Sequence, residues 1–195
     1  GLAYGYQIGN RFRPVKEEYM HSDGSCTGEI LELDQTDYII HELIHNPTSR
    51  RIITDIYNID DLSKMGLEPC AFLTQWNVRT DRGGVKYLDM MLTQRSQDFL
   101  TANNWNVCQY AALLIFIAKV TGYRPGKLIH QIGDCHIYDR HIDAVKELIS
   151  REPYEDAKYT LFCDEENPSF YDFTELDIKL VDHKHHEQIK NIPVA

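Results

Sequence analysis

The 195-residue sequence lacks a long hydrophobic run, an excess of positive charge and any C-x-x-C spacing. Its longest apolar run, residues 111–118, is far shorter than the about 20 residues that cross a bilayer, so we expect a soluble protein. The formal net charge of −10 gives no field that would attract nucleic acids or acidic membranes non-specifically. Any anionic ligand must therefore be bound by local arginines.

The cysteines argue against two kinds of site. They form an odd-numbered set without paired spacing, which disfavours a disulfide framework and a zinc ribbon and fits a reducing cytoplasm; the set is Cys26, Cys70, Cys108, Cys135 and Cys163. Metal binding through His183, His185 and His186 is an alternative, but no second cluster has ligand spacing, so we expect no metal. No serine sits in a nucleophile elbow, which disfavours a hydrolase triad.

The hydrophobic content of 43% is sufficient for one domain spanning residues 1–195. Helix and strand patterns both occur along the chain. Residues 105–121 are apolar around nearly the whole helical circumference, as in a helix buried in the core. Residues 14–31 are largely polar and contain turn-forming residues, so we expect a surface loop there.

Cys70 follows Pro69 at the mouth of a predicted strand. Proline cannot extend a strand ladder, so it marks the strand's beginning and leaves the next side chain near a surface or cleft. Cys70 is therefore a candidate nucleophile. The alternative is a small buried hydrophobe, since cysteine is among the most buried residue types.

A predicted β-hairpin places Arg95 close to Cys70. Strands at residues 72–78 and 87–94 flank a turn at residues 80–84 that contains two glycines. If the strands pair across this turn, Cys70 and Arg95 emerge at the same edge, remote from the turn. Arg95 is then a candidate anion contact beside the thiol.

Two further pairs have both a functional and a structural interpretation. Arg50 and Arg51 lie at the entrance of a predicted strand, where charged side chains are usually solvated surface. His136 and Tyr138 are two residues apart in a predicted strand, so they face the same way and could share a hydroxyl ligand. The alternative for His136 is a buried, hydrogen-bonded histidine.

Taken together, these segments resemble the thymidylate synthase family. The matching motifs, in the family's order and spacing, are Ser49-Arg50-Arg51, Pro69-Cys70, Gln94-Arg95-Ser96-x-Asp98, Trp105-Asn106-Val107, Ile132-Gly133-Asp134-Cys135-His136-Ile137-Tyr138, Phe170-Tyr171-Asp172-Phe173 and Pro193-Val194-Ala195. The resemblance covers almost the whole chain, with residues 14–31 as a longer, family-variable loop. It implies an α+β fold with a mixed, mostly antiparallel sheet, a buried central helix and a homodimer formed through sheet faces.

The resemblance also implies a reaction, namely reductive methylation of deoxyuridylate (dUMP) to thymidylate (dTMP) with 5,10-methylenetetrahydrofolate as co-substrate. Cys70 would add to carbon 6 of the pyrimidine, which makes carbon 5 nucleophilic. Asn106 would recognise the pyrimidine, because an amide offers the donor and acceptor that match uracil O4 and N3–H. An aspartate at that position would suit cytosine instead.

Further roles follow from the resemblance alone. The implied catalytic residues are Cys70, Tyr4, Asn106 and Asp98; the implied dUMP-binding residues are Arg50, Arg51, Gln94, Arg95, Ser96, Asn106, His136 and Tyr138; and the implied folate-binding residues are Asp98, Ala102 and Ala195. In this family the paired arginines reach across the dimer interface to the partner's phosphate. The C-terminal tail closes over the folate and excludes water.

The chain also departs from the family pattern. Ala71 stands where many members have histidine, residues 102–104 replace a usual Gly-Leu-Pro or Gly-Asn-Pro, and the tail stops at Ala195, one residue short of the usual apolar terminus. The chain begins about a third of the way along the family, so the segment with a relay glutamate, a tryptophan pair and one phosphate arginine is missing. We therefore expect low or no turnover from 195 residues alone.

Two alternatives stay open at this point. A deoxypyrimidine hydroxymethylase would use the same cysteine and folate but leave tetrahydrofolate, because water replaces the hydride. A non-catalytic nucleotide-binding remnant of the fold would be indifferent to Cys70→Ser.

Overall fold

The computed structural model describes residues 4–20, 23, 25–163, 166 and 168–193, and of residues 4, 16–20, 26 and 27 it describes the backbone alone. The helices are α1 (Tyr4–Asn10), α2 (Gln35–His45), α3 (Ile59–Leu62), α4 (Asn103–Val120) and α5 (Ile142–Ser150), with 3-10 turns at Asp139–His141 and Phe170–Asp172. The strands are β1 (Arg13–Met20), β2 (Cys26–Leu33), β3 (Ile53–Asp55), β4 (Ala71–Thr80), β5 (Lys86–Asp98), β6 (Arg124–His136), β7 (Lys158–Leu161) and β8 (Ile178–Val181).

The central sheet has the strand order β3-β4-β5-β6. Its first two pairs are antiparallel and the pair β5–β6 is parallel. Parallel neighbours need a crossover connection, and α4 supplies it between β5 and β6. Two separate antiparallel ribbons, β1–β2 and β7–β8, complete the described strands. The expected mixed, mostly antiparallel α+β fold is confirmed.

The predicted hairpin is present as β4 and β5. Asp81 closes its turn, because its Oδ1 accepts from the amides of Gly83 at 2.8 Å and Val85 at 2.9 Å. Gly84 has φ of +81°, a left-handed conformation that glycine adopts without steric cost. Turn chemistry therefore fixes the hairpin's register.

Residues 13–20 and 26–33 differ from the expected surface loop, because they form the antiparallel pair β1–β2, from Arg13 opposite Leu33 to Met20 opposite Cys26. Strand pairing satisfies backbone groups whatever the side chains are, so a solvated ribbon needs no apolar face that a sequence pattern would reveal. Ile30, for example, is largely exposed. That this segment varies among relatives stays a prediction, as does the single-domain boundary.

The hydrophobic core lies between one face of the central sheet and the helices α2 and α4. Alternate residues of β5, Leu88, Met90 and Leu92, are fully buried in it. The inner side of α4 is buried, whereas its outer side lines a mostly apolar cavity of about 630 Å³ with Phe170 and Phe173. The expected central helix is therefore buried along one side.

In the described part of the chain, no helix is both long and apolar enough to cross a bilayer.

A polar contact lies inside this core. The hydroxyls of Thr54 and Thr74 form a hydrogen bond across the β3–β4 pair, and Trp76 Nε1–H donates to Thr74 Oγ1 at 2.9 Å. All three residues are buried. Thr74 therefore satisfies two partners, whereas Thr54 satisfies one.

This arrangement predicts unequal costs for two equivalent substitutions. Thr74→Val leaves both the indole N–H and the Thr54 hydroxyl without their partner, so we expect a loss of about 2–3 kcal/mol in the free energy of unfolding. Thr54→Val leaves the Trp76 contact intact and should cost about 1 kcal/mol. Urea titrations of both variants measure the difference. A Thr54→Val variant less stable than Thr74→Val would contradict this assignment.

Candidate functional site

The start of β4 and the ends of β5 and β6 meet at one edge of the central sheet, which we call the site edge. The backbone amide of Arg95 donates to the Cys70 carbonyl at 2.8 Å, and Asp98 lies opposite His136 in the parallel pair. The Phe99 amide continues this alignment by donating to the His136 carbonyl at 3.0 Å. The predicted proximity of Cys70 and Arg95 is confirmed.

Cys70 is half-buried at the site edge, between buried Pro69 and Ala71. The β4–β5 register is irregular between Ala71 and Leu73, and such irregularities redirect neighbouring side chains. Ala71, not Cys70, is the fully buried residue here, with 0% exposure. Partial exposure favours the reactive interpretation of Cys70 over that of a core hydrophobe.

Arg95 is held close to this cysteine by the backbone. Its Nε donates to the Pro69 carbonyl at 3.0 Å and its Nη2 to the Glu68 carbonyl at 2.9 Å. A guanidinium carries five N–H donors, so these two bonds leave others for a ligand. The positive charge is thereby fixed at the segment that leads into Cys70.

A network of buried amides lies below the site edge and ends at Asn106 on the first turn of α4. His130 Nε2 contacts Gln94 Oε1 at 2.9 Å, and Gln94 Nε2 donates to Gln97 Oε1 and to the Ser96 carbonyl. Gln97 Oε1 also accepts from Asn106 Nδ2 at 3.0 Å. Gln94 and Gln97 are each 1% exposed.

The amide network fixes which way the Asn106 side chain points. Because Gln94 Oε1 accepts only, His130 Nε2 carries the proton. Gln94 then presents its NH₂ to Gln97, and Gln97 presents its oxygen to Asn106. Each amide sets the orientation of the next, so the tautomer of His130 determines the orientation of Asn106.

Gln97 and His130 were not among the predicted site residues. Gln97 lies between Ser96 and Asp98, which were predicted. From the sequence alone it resembles a solvated polar side chain, because only its contact with Asn106 of α4 shows that it belongs to the site. His130 could have been identified from the sequence, because it alternates with Leu128 and Ile132 on the core-facing side of β6. A histidine in that series requires a polar partner, and Gln94 is that partner.

Asp98 is bound within its own turn before α4. Its Oδ1 accepts from the amides of Leu100 at 3.1 Å and Thr101 at 3.3 Å, and its Oδ2 accepts from the Thr101 hydroxyl. Burial alone would raise the pKa of Asp98, but these hydrogen bonds outweigh it and lower the pKa below its ordinary value. The Ala102 amide donates to the Asp98 carbonyl at 3.1 Å, so both residues belong to one turn.

His136 is the last residue of β6 and Tyr138 lies just beyond it, so the two do not share one strand as predicted. Their rings meet edge to face with centroids 5.0 Å apart. His136 Nδ1 contacts Asp134 Oδ1 at 3.1 Å, and neither ring is buried in the core. The two rings are therefore neighbours, and a ligand group shared between them stays a prediction.

Arg50 and Arg51 are exposed and lie away from the site edge of their own chain. They precede β3, whose first residue, Ile53, pairs with Gln75. Gln75 is five positions along β4 from Cys70, or about 16 Å of strand. The two arginines therefore do not join Cys70 within one chain.

Two predicted site residues cannot be placed. Tyr4 begins α1, but its side chain lies outside what the structure describes, and Ala195 lies wholly outside the described residues. Among the residues with described side chains, no three His, Cys, Asp or Glu are grouped closely enough to hold a metal ion.

Comparison with known proteins identifies relatives over nearly the whole chain. A family model described as thymidylate synthase matches residues 1–195. The thymidylate synthase of Bacillus licheniformis is 42% identical over 189 residues, which cover 97% of this chain, and that of Bacillus phage phi3T is 41% identical over 189 residues. The solved structure of thermostable thymidylate synthase A from Bacillus subtilis superposes with a TM-score of 0.80 at 38% identity, over 98% of this chain.

The shared length is partial on the relatives' side. The chain spans 61% of the Bacillus licheniformis and phage phi3T proteins and 62% of the Bacillus subtilis structure.

The buried network predicts the titration of His130. Burial lowers the pKa of this histidine, so it should lie below the ordinary value of about 6.5. Because the pKa of His130 is lower in the folded chain, protons bind preferentially to the unfolded chain as the pH falls. The contribution of neutral His130 to stability is therefore complete above pH 6.5 and declines as the pH falls below that value. NMR titration measures this pKa directly.

The matched variant is His130→Gln, which keeps a donor but cannot titrate. Its unfolding free energy should fall less between pH 7 and pH 5 than that of the unsubstituted chain. A His130 pKa at or above 6.5 would contradict the neutral, Nε2-protonated ring.

Proposed function

Because the chain belongs to the thymidylate synthase family, we propose that it is the part of a methyltransferase that binds dUMP and carries the nucleophile for its reductive methylation to dTMP. The co-substrate is 5,10-methylenetetrahydrofolate. The observations that carry this proposal are the hydrogen bond of the Arg95 amide to the Cys70 carbonyl and the contact of Asn106 with Gln97, two residues along β5 from Arg95. The proposed location of the activity is the cytoplasm.

Cys70 is the proposed nucleophile. Its sulfur forms a bond to carbon 6 of the pyrimidine, and the electron pair of the C5–C6 double bond moves to carbon 5, which becomes nucleophilic. The S–C6 bond breaks again when the product is released. The half-buried position supports this role, because it is accessible to a planar ring yet shielded from bulk water.

Arg95 and Ser96 are proposed to bind the phosphate of dUMP. Arg95 is fixed by the Pro69 and Glu68 carbonyls, so little side-chain entropy remains to be lost when an anion binds. Charge-assisted hydrogen bonds from a guanidinium to phosphate are among the strongest available in proteins. His136 and Tyr138 are proposed to hold the 3′-hydroxyl of the deoxyribose.

Asn106 is proposed to select uracil over cytosine. Its amide provides one acceptor and two N–H donors, one of which is used by Gln97. The remaining donor and the oxygen match O4 and N3–H of uracil. Because the buried network fixes the amide's orientation, a flipped amide that would suit cytosine is disfavoured.

Asp98 and Ala102 are proposed to lie on the folate side, with Ala195 and the tail above them. The lowered pKa keeps Asp98 an anion at neutral pH, and a carboxylate accepts hydrogen bonds from the N–H groups of a pterin. Folate supplies the one-carbon unit and the hydride when bound. Tyr4 is proposed to order water near the pyrimidine.

A homodimer is the proposed assembly. The sheet face opposite α4 carries Leu73 and Met91, which are partly buried, and Ile129, which is exposed, although all three alternate with residues that face the core. A second copy on this face would cover them. It would also explain the two exposed arginines, because Arg50 and Arg51 could then reach the partner's phosphate site.

A trapped complex tests the nucleophile and both ligands together. Incubation with 5-fluorodeoxyuridylate and 5,10-methylenetetrahydrofolate should add the mass of both ligands to the protein, with the modification mapped to the Cys70 peptide. Intact-protein and peptide mass spectrometry measure this. Cys70→Ser should abolish the adduct.

The matched controls are Cys108→Ser and Cys135→Ser, since both of these thiols are exposed and neither residue is assigned a role in the proposed site. Both variants should form the adduct normally. An adduct on either thiol, or none on the unsubstituted chain, would refute the proposed function. With dUMP in place of the fluorinated analogue, release of tetrahydrofolate instead of dihydrofolate would indicate hydroxymethylation.

Mixed dimers test the role of the arginines. Neither Cys70→Ala nor the double variant Arg50→Ala/Arg51→Ala should form the adduct efficiently alone, because loss of charge-assisted contacts weakens phosphate binding by about 10- to 100-fold. Co-refolded, the two variants should regain it, since one site of each mixed dimer has Cys70 from one chain and both arginines from the other. The same mass measurement detects the recovery.

Mixing Cys70→Ala with Cys70→Ser provides the control, because no mixed dimer of these chains has an intact nucleophile. If the arginine variant does not recover on mixing with Cys70→Ala, the arginines do not act across a dimer.

A further inference from the structure

His141 is a buried side chain that the proposed reaction does not use. It ends the 3-10 turn before α5 and is 0% exposed. Its Nε2 lies 2.8 Å from the carbonyl oxygen of Pro193, which is 52 residues further along the chain. A carbonyl oxygen only accepts, so Nε2 carries the proton and donates.

The other nitrogen of the same ring faces Asp98. His141 Nδ1 is buried, has no hydrogen-bond partner among the described residues and lies 4.0 Å from Asp98 Oδ1. Tyr138 packs edge to face on the ring, with centroids 5.5 Å apart. The imidazole is therefore enclosed between the C-terminal segment, the Asp98 carboxylate and a residue of the site edge.

Few hydrogen bonds between described residues hold the C-terminal segment. Most of residues 188–193 are exposed. Among hydrogen bonds that join described residues, the contact with His141 is the one that connects this segment to the rest of the chain. The preceding part is tied separately, because Arg151 donates to the Glu187 carbonyl at 2.7 Å and His186 Nε2 to the Glu152 carbonyl at 2.8 Å. The buried Nε2–H of His141 is thus the donor that holds the last described residues in place.

We propose that His141 is a positioning residue that fastens the C-terminal segment 188–193 beside Asp98. One rigid ring contacts both, so the position of the segment and that of the carboxylate are coupled. The consequence for ligands rests on the proposed function, in which Asp98 and the tail form the folate side. Loss of the Nε2 donor should then weaken folate binding and leave dUMP binding unchanged.

Carboxypeptidase digestion of the unliganded chain tests the fastening without any assumption about function. His141→Phe keeps an aromatic ring but removes the donor, and we expect its C-terminus to be trimmed about tenfold faster, the equivalent of one lost buried hydrogen bond. His141→Gln returns an N–H near the Nε2 position and should stay within about threefold of the unsubstituted rate. Mass spectrometry against time measures the trimming.

Trimming of His141→Phe at the unsubstituted rate would overturn the proposal. So would equal trimming of both variants, because ring volume and not the donor would then matter. Imidazole ¹⁵N shifts of the unsubstituted chain give a test that needs no variant to fold, with a proton expected on Nε2. An Nε2 without a proton would overturn the proposal.

Ligand titrations separate this inference from the proposed function. For His141→Phe we expect weaker folate binding and unchanged dUMP binding, each followed by isothermal calorimetry. Equal weakening of both ligands would show a general structural effect and overturn the positioning role. If the unsubstituted chain forms no Cys70 adduct, the proposed function fails, while the trimming rates still decide whether His141 fastens the segment.

Discussion

The hydrogen bond from the Arg95 amide to the Cys70 carbonyl is the constraint on which the candidate site depends. It closes the end of the β4–β5 pair that is remote from the turn, and the turn at Asp81 and Gly84 determines which residues reach that end. A register shift of one residue would turn the side chains of either strand to the opposite face of the sheet. The position of a cationic side chain beside a cysteine is thus a consequence of a distant turn.

A second constraint runs through the core. The β5–β6 register places His130 against Gln94, and from there each buried amide orients the next as far as Asn106 on α4. Such a network is costly if one member lacks a partner, and rigid if all members are satisfied. The same side chains that complete the core therefore orient the group proposed to recognise the pyrimidine. Stability and specificity are linked here through residues that touch no ligand.

Local patterns and motifs predicted the parts that depend on neighbouring residues. Turn chemistry predicted the β4–β5 hairpin. His136 and Tyr138 are neighbours as expected, although Tyr138 lies beyond the strand in which both were predicted. The β1–β2 ribbon was missed because exposed strands need no apolar alternation. Gln97 and His141 were missed because their partners, Asn106 and Pro193, are brought to them only by the packing of α4 and the path of the tail.

Cys70 is proposed to lie within a nucleotide site at the edge of the sheet. The rate at which each thiol is alkylated, with and without dUMP, reports on this placement by peptide mass spectrometry and needs neither folate nor turnover. We expect dUMP to slow the alkylation of Cys70 and to leave that of the exposed Cys108 and Cys135 unaffected. An unchanged alkylation rate of Cys70 at saturating dUMP would mean that Cys70 lies outside a nucleotide site.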